Sequence, residues 1–237
     1  MKGEDKRPKD RASQTGTVDW VLEAPWTREL SEELRRRVTV ETKLRRVAAH
    51  TYICRKGDPV THWFGVIDGF VKVAIVSPEG KAISFIGISA GGWFGEGSLL
   101  KSEPRRYDAI ALRRSVIAYM SRNTFMLLLD SSVGFNRFIL TQLNERLGEF
   151  VGRFEHDRLL GPEARVAADL AALFNPRLYP GQQKTLPISQ TELALLVGLS
   201  RQTVNRALQQ LEAAGLLRVD YRGVTIIDVE GLNRFRK

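Results

Sequence analysis

Residues 199–211 read LSRQTVNRALQQL. Val204, Ala207, Leu208 and Leu211 fall at i, i+3, i+4 and i+7, the spacing of a helix that buries one face. The opposite face carries Arg201, Gln202, Asn205, Arg206 and Gln209, with no acid among them. An ordinary solvated helix face mixes Glu with Lys. This one holds planar, fork-shaped hydrogen-bonding groups. Arginine can grip guanine O6 and N7 with two bonds, and glutamine or asparagine can do the same to adenine N6 and N7. Each such pair is worth about 1–3 kcal/mol of base discrimination.

The flanking residues place this helix in a motif. Ser189 caps a preceding helix that starts at Gln190, and Glu192 stands where a capping box needs it. Gly198 ends that helix, since glycine readily takes the left-handed cap conformation. Ser200 caps the next one, so VGLS is the tight turn of a helix-turn-helix. LLRVDY and VTIIDV, turned at Arg222-Gly223, predict a wing. Such a unit lays its first helix across a duplex and puts the N-terminal half of the second into the major groove. Arg201, Gln202, Asn205 and Arg206 then face base edges. Ser189, Gln190, Ser200 and Thr203 are placed for phosphates, which position a domain without reading sequence, and Arg222 joins the DNA-facing set from the wing. A winged helix used only for protein contact is the alternative.

Upstream, residues 122–160 are read as one long helix. Val133, Leu140, Leu147 and Phe154 repeat every seven residues, and Asn136, Leu143, Phe150 and Asp157 form a second seam at coiled-coil spacing. A narrow apolar seam suits a helix pair better than a broad core face. The expected dimer interface is Leu140, Leu143, Leu147, Phe150 and Phe154. Packing on the chain's own core is the competing explanation. Gly148 and Gly152 sit inside this helix, where each costs about 1 kcal/mol against alanine.

Residues 50–120 carry short apolar stretches between turn residues, with Val71, Val73 and Ile75 alternating with Lys72 and Ala74, and Pro78-Glu79-Gly80 as a hairpin signal. Many short strands at close spacing predict an antiparallel roll. From Trp20 to about Ala49 the pattern is helical but irregular, with a helix start at Ser31. Gly161-Pro162 marks a break. The expected fold is α+β: a tail over 1–19, a β-roll with an N-terminal helix over 20–121, a dimerisation helix over 122–160, and a winged helix-turn-helix over 161–237.

The 237 residues carry a net charge of +9, which favours an anionic partner such as double-stranded DNA. Cys54 is the only cysteine, so no disulfide can form within one chain, and the cytoplasm is the expected location. No apolar run reaches the length of a membrane span, and the polar N-terminus has no signal-peptide core. No HExxH spacing, GxxxxGKS loop or nucleophile–base pair is present, so no enzyme is expected. The three histidines, at 50, 62 and 156, are isolated, and isolated histidines are more often ordinary surface or core groups than haem ligands.

The chain resembles the cyclic-AMP receptor protein and fumarate–nitrate regulator (Crp/Fnr) family of bacterial transcription regulators over nearly everything after the tail. The resemblance rests on the SR-x-T-V-x-R core from Ser200 to Arg206, on KGD at 56–58, on Gly69, Val71 and Val73, and on GGWFGEGSLL at 91–100. It implies a cyclic-nucleotide-binding-like jelly roll, a homodimer on a near-palindromic site, and contact with RNA polymerase. Residues 95–112 resemble the family's phosphate-binding cassette. There Gly95 and Gly97 let backbone N–H groups approach an anion, Glu96 accepts from a ribose hydroxyl and Arg106 neutralises a cyclic phosphate. Tyr107, Arg146 and Phe150 complete the expected effector set. In the bland reading the glycines only turn the strand and Arg106 makes a salt bridge. Three departures stand out. Gln202 replaces the glutamate of the cyclic-AMP receptor protein, which alters base preference. Tyr107 and Asp108 replace a serine and an alanine. Phe150 and Val151 replace the threonine and serine that contact adenine. Cyclic AMP, cyclic GMP, another anion and no effector all stay open. A nucleotide-responsive regulatory subunit acting through protein contacts is the alternative function.

Overall fold

The structure, a computed structural model, describes residues 21–76, 82–221 and 223–235. The expected tail, the Pro78-Glu79-Gly80 turn and Arg222 lie outside the described residues. A 3-10 turn over Pro25–Thr27 leads to α1 (Glu32–Glu41), capped by Ser31, whose side chain accepts from the Leu34 N–H.

Strand β1 (Lys43–Val47) follows at once, within the stretch expected to be helical. Its partner explains the difference: β1 pairs antiparallel with β8 (Ser115–Ser121), Lys43 opposite Tyr119. A distant strand supplies the hydrogen bonds that a local pattern cannot show. Among the described residues the roll has two four-stranded antiparallel sheets. One runs β1, β8, β3 (His62–Asp68), β6 (Trp93–Phe94); the other runs β2 (Tyr52–Cys54), β7 (Asp108–Ala111), β4 (Phe70–Val76), β5 (Ala82–Ser89). Val71 and Val73 point inward as expected. Ala74 does too, because the register shifts between Val73 and Ala74. Such a bulge turns successive residues to one face.

Aromatic rings cover the outer face of the β1, β8, β3, β6 sheet, alternating along the strands with the inward residues Phe64, Phe94, Ile117 and Tyr119. Trp63 and Trp93 lie 4.3 Å apart, and Trp26 sits 5.5 Å from Trp63 and 5.5 Å from Phe135. This cluster draws the N-terminal turn, both ends of the roll sheet and the following helices into one core.

The expected single helix is two. α2 (Glu96–Lys101) lies in the cassette; α3 (Arg122–Ser131) and α4 (Val133–Leu159) then meet at Ser132. Ser132 is extended, and its hydroxyl accepts from the Phe135 N–H at 3.1 Å. A serine competing for the backbone in this way ends one helix and starts the next. α4 has 27 residues and so runs about 40 Å.

Of the two expected seams on α4, the first stands open: Val133, Leu140, Leu147 and Phe154 are 53–68% exposed. The second is largely used within the chain. Asn136 donates to the carbonyls of Leu129 and Ser132, Leu143 packs on the tryptophan core, and Asp157 pairs with Arg165 at 2.6 Å. Phe150 is the apolar member of that seam that faces outward, and Asp157 is also exposed. The roll covers the neighbouring stripe of the helix, so Leu143 is half-buried against its own protomer's core and pocket instead of standing open like Leu140 and Leu147.

Beyond Gly161 come α5 (Pro162–Ala172), β9 (Thr185–Leu186), α6 (Gln190–Val197), α7 (Arg201–Ala213), β10 (Leu217–Asp220), β11 (Gly223–Ile226) and α8 (Val229–Arg234). The wing has a third strand, β9, which pairs with β11 through Thr185 and Leu186. Residues 175–184, whose sequence NPRLYPGQQK has the composition of a loop, also do more. Leu178 and Tyr179 are each 2% exposed and belong to the roll's core beside Ile88 and Phe94. Arg153 of α4 joins the same seam, donating to Asp169 Oδ1 of α5 at 3.1 Å and to the Phe85 carbonyl of β5.

Candidate nucleic-acid interface and roll pocket

The helix-turn-helix forms from local chemistry. Ser189 and Glu192 make a complete capping box on α6. Gly198 ends it at φ 72°, ψ 30°, in the left-handed region where a side chain is strained. Ser200 caps α7, accepting from the Thr203 N–H at 3.1 Å. Val204, Ala207, Leu208 and Leu211 are buried, each at 1% exposure or less. Burying Val204, Leu208 and Leu211 stabilises the domain by about 1.5–3 kcal/mol apiece, Ala207 adds less, and together they fix which face of α7 turns outward.

That outward face carries Arg201, Gln202 and Arg206 exposed, and Asn205 half-buried. With Gln190, Thr203 and Gln209 they line one open concavity of about 830 Å³. Among the described residues Arg201 and Gln202 have no hydrogen-bond partner. The other two are held: Asn205 Nδ2 donates to Gln190 Oε1 at 2.9 Å, and Arg206 Nη2 meets Glu163 Oε1 of α5 at 3.1 Å. Gln190 therefore orients Asn205 in this structure, beside its expected place at phosphate. Glu163 was not singled out from sequence. It stands in the first turn of α5, and nothing local shows that α5 presents it to α7. Ser189 and Ser200 are exposed at the two helix starts.

A second site lies between the roll and α4. A pocket of about 250 Å³ is lined by Gly95, Glu96, Gly97, Arg106, Tyr107 and Arg146, with an apolar wall of Val73, Ile86, Ile88, Phe94 and Leu143. Six of the seven expected effector residues thus converge. Phe150 does not: it is 67% exposed on α4 and lines no part of the pocket. Phe150 lies on the stripe of α4 that faces away from the roll, while Arg153 one turn on still reaches β5, so Phe150 meets solvent. Glu96 is 4% exposed, with Oε2 3.4 Å from Trp63 Nε1 and Oε1 3.4 Å from Arg146 Nε. Arg146 also donates to the Trp93 carbonyl. Burial opposes the Arg146 charge, yet Glu96 and the other groups around it hold its proton more firmly than usual. Burial likewise raises the Tyr107 phenol above its ordinary range.

Two neighbouring arginines have opposite fates. Arg106 reaches the pocket and is 69% exposed at its side chain. Arg105 is 2% exposed, donating to the carbonyls of Gly95 and His62, with its guanidinium 4.8 Å from the centre of the Phe64 ring. It fixes the cassette strand from behind. Gly95 sits there at φ 96°, and a Cβ on it would come 2.5 Å from Arg105 Nη1. Asp108 turns away from the pocket to accept from the Lys56 N–H at 2.8 Å.

Residues 44–132 match the cyclic nucleotide-binding domain and residues 164–235 match the Crp-like helix-turn-helix domain. The chain belongs to the Crp/Fnr family of transcription regulators. It is 27% identical over 188 residues to the CRP-like cAMP-activated global transcriptional regulator of Mycobacterium tuberculosis H37Rv, covering 78% of this chain and 84% of that one. Among solved structures it resembles the c-di-GMP responsive global regulator CLP of Xanthomonas campestris, with a TM-score of 0.60 and 25% identity over 83% of this chain and 99% of that one. FixK2 from Bradyrhizobium japonicum shares the fold at a TM-score of 0.65 and 23% identity, over 83% of this chain and 98% of that one.

Proposed function

We propose that this chain regulates transcription by binding a near-palindromic DNA site as a homodimer, in the cytoplasm and in contact with RNA polymerase. The observation that carries the reading is the outward face of α7. It presents Arg201, Gln202, Asn205 and Arg206 on a capped helix anchored from behind, with two of the four unpartnered among the described residues. Family membership supports the same function. Dimerisation is supported by the open stripe of Leu140, Leu147, Phe150 and Phe154 on α4, all more than half exposed. Large apolar side chains in a row along one helix face are covered in a folded assembly. A second α4 packed at coiled-coil geometry covers them and relates two recognition helices by a two-fold axis.

Coupling between the roll pocket and DNA binding is supported by the contact of Glu96 of α2 with Arg146 of α4 in the pocket wall. An effector shifts such a molecule only through different affinities for its arrangements. Selection of binding sites from random duplexes, followed by gel shift, tests the function directly. Enrichment of a near-palindrome with half-sites about one duplex turn apart is expected. Failure to enrich any sequence would favour the protein-contact reading.

A further inference from the structure

The family's domain description implies a cyclic nucleotide in the roll pocket, and the residues present do not fit one. We propose that Glu103 fills the anion end of this pocket, so that the protein excludes cyclic nucleotides and holds its DNA-binding arrangement without them. The second half of that statement rests on the DNA-binding reading above.

A cyclic nucleotide asks three things of the pocket, and the free cation is the one that Glu103 withholds. Its phosphate needs a free cation. Arg106 Nε and Nη2 donate to the two oxygens of Glu103, each at 2.8 Å, and Lys101 Nζ lies 2.6 Å from Oε1. A two-pronged arginine–carboxylate pair is the same geometry by which arginine grips a phosphate. An incoming phosphate must displace a tethered anion and then sit beside it. The two cations hold the Glu103 carboxyl down to about 2, so it stays charged throughout the physiological range. A ribose hydroxyl needs a free acceptor. Glu96 is buried between Trp63 and Arg146. A base needs polar partners. Beyond Ser98, Lys101 and Tyr107, which line the cassette side, the wall is the apolar Val73, Ile86, Ile88, Phe94 and Leu143, and Phe150 and Val151 are exposed on α4 outside the pocket.

The backbone directs Glu103 into this position. Ser102 takes a left-handed conformation at φ 52°, unusual for a residue with a side chain. Its N–H bonds the Leu99 carbonyl, the Glu103 N–H bonds the Ser98 carbonyl, and Arg122 donates to the Ser102 hydroxyl at 2.8 Å. The chain therefore turns back over the end of α2 and brings the carboxylate to Arg106.

The test uses the full chain and titrates cyclic AMP and cyclic GMP by calorimetry, which needs no DNA. Wild type is expected to show no saturable binding up to millimolar nucleotide. Glu103→Gln keeps the shape, removes the charge and frees Arg106. It is expected to saturate with at least one of the two, a gain of roughly tenfold or more, the worth of one charge-assisted hydrogen bond. Adding Arg106→Ala should abolish that gain. In gel shift, wild type should bind its selected duplex equally with and without nucleotide. Saturable binding by wild type, nucleotide-dependent DNA affinity, or a Glu103→Gln protein that still binds neither nucleotide would each overturn the proposal. Loss of all duplex binding with the calorimetry as expected would count against the DNA reading alone.

Discussion

Arg201 and Gln202 stand at the first turn of α7 with nothing in the described protein to satisfy them. Their hydrogen-bonding capacity is spent on water until a partner arrives. Arg201→Ala is expected to weaken specific binding by about 1–3 kcal/mol and to relax one base position. Footprinting and repeated site selection would read both effects, and an unchanged site preference would remove Arg201 from the readers. Glu149 makes a different prediction. Burial raises its carboxyl to about 7, against the downward pull of Arg146, the Asn175 amide and Arg153. Its folded value lies above the ordinary 4.5, so the folded state holds the proton longer. Stability from this group is therefore fullest at low pH and is lost as pH rises from about 4.5 to about 7. Thermal melts across that range should show a downward component that Glu149→Gln removes. At this scale the recognition helix was legible because its burial pattern is local: Val204, Ala207, Leu208 and Leu211 announce the inner face by spacing alone. Arg106 was assigned to the pocket through the family resemblance; the residue chemistry alone does not separate it from Arg105. Two adjacent arginines differ only in which side of the chain they leave, and a left-handed turn at Ser102 and the packing of Phe64 settle that. Glu103 was invisible for the same reason.

Elements divide along a similar line. The helices with their own caps were readable: Ser31, Ser189 and Ser200 all cap where the sequence places them. The strands β1 and β9 were not, because each is defined by a partner far along the chain. The heptads of α4 were readable as periodicity, but periodicity cannot say which stripe the roll covers. Leu143 went inward and Leu147 stayed out. That split yields a sharp expectation. Leu147→Glu sits on the open stripe at 60% exposure, so the protomer should fold while the dimer fails. Sedimentation equilibrium should show a monomer with unchanged circular dichroism. A dimer of wild-type strength would mean that α4 does not form the interface.

Over the whole molecule, a charge of +9 is an electrostatic statement about partners rather than about fold. Neutralising phosphates releases counterions, so affinity for a specific duplex should fall at least about a hundredfold between ~50 and ~200 mM salt. A flat salt titration would contradict phosphate contact. The two halves of the chain also share more than a covalent link. Tyr179, from the segment between α5 and β9, lies against Gly92 and is buried in the roll. Arg153 bonds both halves at once. The polypeptide is therefore poorly suited to dissection. A truncation after Gly161 would strip the roll of a phenol ring and a leucine that its own strands do not replace, leaving an oily hollow open to water. The isolated N-terminal piece should aggregate or melt well below the intact protein, however sensible that cut looks on a domain diagram.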